Sequence, residues 1–119
     1  MSRSNGSQSR KTKSSVRYLP CRAEPGMFTG EFLVYIKGFD PANAERPITV
    51  QMLVDQSEVK QLSGTPQRKK PVEGWVKVTL ANQHGGIAEI VLPQPAQPVG
   101  ESMLVNASDL VETTGHDPE

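Results

Sequence analysis

Met52-Leu-Val-Asp-Gln-Ser-Glu-Val59 and Met103-Leu-Val-Asn-Ala-Ser-Asp-Leu110 match at seven of eight positions when Asp/Asn, Glu/Asp and Val/Leu are taken as equivalent, and four of the seven are identities. Four identities in eight arise by chance in a chain of this length, so the surroundings decide what the match is worth. Ahead of each copy runs the same order: a strand pattern, a glycine-containing turn, a second strand pattern and a proline-containing loop. In the first half these are residues 16–21, Pro25-Gly26 and residues 28–36; in the second they are residues 75–81, Gly85-Gly86 and residues 87–92. Each half then reads as three strands ending in a turn. There Asp55 or Asn106 accepts from the turn's amides, and Val59 or Leu110 folds back over the core. We therefore expect a duplicated unit. Two such units close into a small all-β barrel of about six strands, because closure pairs the edges that each half leaves open. The competing reading is a partly open barrel of five strands in which residues 16–21 are only an extension.

The strands are read from period-two alternation. Phe28, Gly30, Phe32, Val34 and Ile36 share one face, with Thr29, Glu31, Leu33, Tyr35 and Lys37 on the other. Ile48, Val50, Met52 and Val54 alternate in the same way, as do Val76, Val78 and Leu80. Residues 82–86, Asn-Gln-His-Gly-Gly, separate the last of these from the apolar run 87–92 and predict a hairpin, since paired glycines supply the positive φ of its loop. Residues 102–106 make a further strand, and 16–21 another, which Pro20 would confine to an edge. Helix is limited to one two-turn segment starting at Asp55-Gln-Ser-Glu58, whose Asp caps and whose Glu reaches back. Loops are expected at 38–47, 63–74 and 93–100, the last stiff and extended through its prolines.

At 119 residues one domain is expected, here 16–112, between a basic arm (1–15) and an acidic tail (113–119), both read as disordered. The net charge is zero, but residues 1–23 carry six basic side chains and no acid, whereas from 78 onward there are six acids and no Lys or Arg. The longest apolar run, 32–36, is far short of the roughly 18–20 residues of a membrane helix, and the leader lacks the apolar middle of a secretory signal. With one cysteine, Cys21, and hence no internal disulfide, the expected location is the cytoplasm, with no membrane partner.

Chemistry is read largely by subtraction. His84 falls in the hairpin turn and His116 in the tail, so no pair is set up for metal binding or acid–base work. Cys21 has no adjacent base and reads as an inert thiol, and Asp55 and Glu58 are explained by capping. Phosphate-loop, dinucleotide, acyl-transfer and zinc-protease strings are all missing. No enzyme activity and no cofactor are therefore expected. What remains is surface. Leu33, Tyr35 and Leu53 form an outward apolar patch suited to a protein partner or to a second copy of the chain. Arg10, Lys11, Lys13 and Arg17 in the arm, with Arg68, Lys69, Lys70 and Trp75, combine cations with a stacking ring as single-stranded RNA or DNA platforms do. The expected function is a non-catalytic barrel that binds protein, with single-strand nucleic-acid binding as the alternative.

Overall fold

The computed structural model describes residues 15–112. The arm expected before residue 15 and the tail expected at 113–119 lie outside the described residues. Seven strands carry the chain: β1 (Val16–Pro25), β2 (Glu31–Asp40), β3 (Asn43–Asp55), β4 (Val59–Lys60), β5 (Val72–His84), β6 (Ile87–Ala96) and β7 (Gly100–Asn106). Five of them close an antiparallel barrel in the order β1-β2-β7-β6-β5 and back to β1. The other two lie outside the ring, β3 on β2 and β4 on β5. Reciprocal backbone bonds between Gln51 and Gln97 (3.2 and 3.1 Å) also tie β3 to the residue that follows β6.

The core follows directly from the alternation. Leu19, Cys21 and Ala23 on β1, Val34 and Ile36 on β2, and Val50, Met52 and Val54 on β3 meet Val76, Val78, Ala88, Ile90, Met103 and Val105 from the second half, all buried. Close approach is enforced at Gly38. A Cβ there would overlap the Leu104 carbonyl and the Met103 methyl and would press on Val105 Cγ1 at 3.1 Å, so glycine lets β2 cross β7 where the barrel shuts.

The two halves repeat one another pairing by pairing. Arg22 faces Tyr35 as Thr79 faces Val91, and Val34 faces Met52 as Ile90 faces Met103. Gln56 N donates to Gly30 O (2.9 Å) just as Ala107 N donates to Gly86 O (2.7 Å). After the repeated motif, Lys60 pairs with Trp75 of the second half, while Val111 exchanges two bonds (2.8 and 3.0 Å) with Tyr18 of the first. Each half thus closes on the opening strand of the other. Leu19 and Val76 stand at equivalent positions and face each other across β1 and β5, so a local twofold axis runs between them.

Several expectations are corrected. The segment after Asp55 is a single 3₁₀ turn, Gln56–Glu58, because the chain re-enters a strand at Val59; an equivalent turn, Ala107–Asp109, follows β7. Asp55 caps Ser57 N (2.9 Å), whereas Asn106 makes no capping bond with its side chain. Phe28 and Gly30 lie before β2, in a turn where Gly30 takes φ +88°. The expected loops are shorter. β2 and β3 run to Asp40 and from Asn43, β5 includes Gly74, and β6 continues through Pro93 and Pro95. In the β5–β6 hairpin only Gly85 adopts positive φ (+60°), the pattern of a type II′ turn. Nor does Pro20 make β1 an edge strand. β1 pairs with β5 over residues 16–23 and with β2 over 22–25, and Pro20 falls in the interval between the Val111 bridge at Tyr18 and the β2 pairing at Arg22.

Candidate functional site

The residues that alternate with the core on β1, β2 and β5 form one continuous outer face. Trp75 lies opposite Pro20 on one side and Lys60 on the other. Arg22 lies between Glu73 and Tyr35. Beyond Tyr35, β2 leaves β1 to cross toward β7, and the divergence opens a groove of about 730 Å³ between Trp75 and Tyr35, floored by the backbone around Pro20 and Gly74. Pro71 and Ser63 wall the groove on the side of the 63–71 loop, and Lys37 and Asp109 wall it on the other. Gly74 is buried because Leu62 takes the space of its missing side chain; a Cβ there would come within 2.9 Å of Leu62 Cδ2.

The walls carry both signs of charge. Arg22 and Lys37 stand against Glu24, Glu73 and Asp109. The Tyr35 hydroxyl donates to Glu24 Oε2 (2.8 Å), and this bond to a carboxylate raises the phenol pKa, since ionisation would set two negative charges together. The other Glu24 oxygen accepts a long bond from Lys69 N (3.4 Å). Glu24 thereby connects Tyr35 to the turn at residues 67–70, which is closed by Lys70 N donating to Gln67 O (2.9 Å), with Lys69 at φ +64°.

Trp75 and Tyr35 therefore share one groove, with the turn carrying Arg68, Lys69 and Lys70 beside it. Leu33 and Leu53 are half-buried cross-strand neighbours on the same outer face, one step from Tyr35. Arg17 is elsewhere. It lies on the core-facing side of β1, its guanidinium donates to Val16 O (2.9 Å), and it pairs with Val78, about 20 Å along the ladder from the Ala23–Val72 pair where the 63–71 loop joins β5. The two basic groups read from the sequence thus meet the described barrel at opposite ends of one ladder. Arg10, Lys11 and Lys13 lie outside the described residues.

Cys21 points into the core, and burial pushes its thiol pKa up to about 12. Among the described residues no three of His, Cys, Asp or Glu are grouped to hold a metal ion. Also among them, no helix is long and apolar enough to cross a membrane. Sequence reasoning missed Pro20, beside which β2 peels away, and Arg22 and Glu24, which border the groove from the paired stretch of β1 and β2. It also missed Met27 and Phe28, among the described residues the two most exposed large apolar side chains, at 76% and 73%. Their signal was the bracketing Gly26 and Gly30, which mark a turn where alternation alone suggested a strand. No protein-family model, curated protein or solved structure matches this chain.

Proposed function

We propose that the chain is a non-catalytic binding module that accepts an extended polypeptide segment in the groove between Trp75 and Tyr35. The observation that carries this reading is the groove itself: aromatic rings and prolines line a cleft whose walls carry charges of both signs. Aromatic and proline walls suit an extended peptide, and mixed charges select its side chains. A phosphate backbone favours continuous positive charge, which Glu24, Glu73 and Asp109 interrupt. The second reading, single-stranded RNA or DNA, rests on the turn with Arg68, Lys69 and Lys70 beside the same groove.

Trp75 is the only tryptophan, so its fluorescence reports on the groove alone. Titrating the protein with a panel of extended peptides and with a single-stranded oligonucleotide, each at low and high salt, separates the readings. We expect a peptide-induced change that survives salt and disappears in Tyr35→Ala. Binding of the oligonucleotide alone, falling steeply with salt, would replace the peptide reading with the nucleic-acid one.

A further inference from the structure

Lys37 lies in a break of the barrel ladder. β2 pairs with β1 as far as Arg22–Tyr35 and with β7 at Phe39–Leu104, and Lys37 belongs to neither ladder. The direction of its backbone follows from its neighbours. Tyr18 exchanges both its backbone bonds with Val111, on the side of β1 away from β5, and alternate residues of a strand point N–H and C=O the same way. Pro20 and Arg22 therefore face β2, Arg22 and Tyr35 exchange bonds, and Lys37, two residues on, directs its N–H and C=O back toward β1. Gln51 agrees, because it stands opposite Tyr35 yet gives both its backbone bonds to Gln97 on the far side. Continued by one step, the β1–β2 register would set Lys37 opposite Pro20, which has no N–H to donate. Both residues line the groove, so the Pro20 and Lys37 carbonyls and the Lys37 amide are turned toward it.

Nor does the groove end at Lys37. Lys37, Thr49 and Asp109 also border a second cavity of about 410 Å³, whose other walls include Gly38, Phe39, Pro47 and Ile48. Along this track the charges compensate one another. Arg22 faces Glu73, Lys37 shares its wall with Asp109, and Glu24 is engaged by the Tyr35 hydroxyl and Lys69 N. A charged ligand of either sign would meet its own sign there, whereas an uncharged one meets no repulsion. Two carbonyls call for N–H donors, which a peptide backbone carries and a phosphate does not.

We propose that the groove and the second cavity are two subsites of one track, and that its ligand is an uncharged, extended peptide with one apolar anchor beside Trp75, a second beside Phe39, and a residue bearing an N–H between them. This rests on reading the groove as a polypeptide site. From Trp75 across Pro20 and Lys37 to Thr49 is three strand spacings, about 15 Å, which about four or five extended residues span.

Trp75 fluorescence with synthetic peptides tests this. The probe is an acetylated, amidated heptapeptide of serine with leucine as its second and sixth residues. It should bind about tenfold or more tightly than the same peptide with its second leucine replaced by serine, or with its leucines only two residues apart. N-methylation of the central residue, which removes the donor, should cost about tenfold, and lysine or glutamate there should each weaken binding. Phe39→Ala should bring the two-anchor peptide down to the affinity of the one-anchor peptide, with thermal unfolding confirming the fold; the peptide series on wild type stands independently of that variant. Equal affinity for one and two anchors, indifference to N-methylation, or tighter binding with a charge at the centre would overturn the inference and leave the groove reading standing. Binding of none of these peptides, or of those in the wider panel, would overturn both.

Discussion

Leu19 and Val76 face each other across β1 and β5, both buried, and each occupies in its own half the position that the other occupies in its half. Together they are the contact on which the two halves turn. Leu19→Ala should cost about 2–5 kcal/mol of unfolding free energy and Val76→Ala less, since fewer methyl groups leave. The double variant should depart from the sum by about 0.5 kcal/mol or more, as neighbouring core residues do. Urea unfolding of the four proteins gives the coupling, and strict additivity would mean that the two side chains do not share a packing site.

Gly38→Ala should be among the most damaging single-methyl additions in the chain. The new Cβ meets β7 backbone, which cannot swing aside as a flexible side-chain end can, so a loss of about 1–3 kcal/mol or more is expected. Gly86→Ala provides the contrast, because nothing lies within 4 Å of a Cβ there and its φ is outside the left-handed region. Its effect should stay within about 0.5 kcal/mol. Thermal unfolding of the two variants side by side decides the point.

The caps should prove unequal. Asp55 Oδ2 accepts from both the amide and the hydroxyl of Ser57 (2.9 and 2.6 Å), and these bonds lower its carboxyl pKa. A lowered folded-state pKa means that this support is present above the ordinary value of 3.8 and is lost as pH falls through the depressed one. Asp55→Ala should therefore reduce the urea midpoint at neutral pH, with the difference from wild type shrinking in strong acid. Asn106→Ala should move the midpoint little, since that side chain makes no capping bond.

Cys21 should resist thiol reagents in the folded protein at pH 8 and react fully once denatured, because burial disfavours its thiolate. The folded-state pKa, about 12, is raised above the ordinary 9.0. Its contribution to stability is therefore complete below pH 9 and declines at about 1.4 kcal/mol per pH unit as pH rises from there toward 12. Cys21→Ala, which has no thiol to ionise, should show a shallower alkaline decline in unfolding free energy.

The barrel was legible in the sequence because its strands obey one period and its two halves repeat one motif. The matches Met52/Met103 and Val54/Val105 lie at equivalent register positions. Strand ends were harder to read. Pro47, Pro93 and Pro95 suggested loops, yet each lies within a strand. Phe28 was assigned to the core face by alternation, and only the left-handed backbone at Gly30 and the Glu31 carboxylate stop the strand short of it. The outward setting of Tyr35 followed from the same alternation. The groove did not, because it arises where β2 parts from β1 to cross toward β7, and that divergence is set by Gly38 and by long-range closure rather than by local pattern.

The cross-closure of the halves has a consequence for the loop that joins them. Lys60 pairs with Trp75 and Val111 with Tyr18, so each half is sealed by the other, and residues 64–71, beyond the contacts of Leu62 and Ser63 with β5, act mainly as a tether that keeps the partners at an effective concentration in the millimolar range. A protease that cuts at Arg68, Lys69 or Lys70 would sever the tether and leave the barrel's ladders intact. The nicked chain would stay folded as a complex of two fragments, and its melting temperature would fall on dilution more steeply than that of the uncut chain.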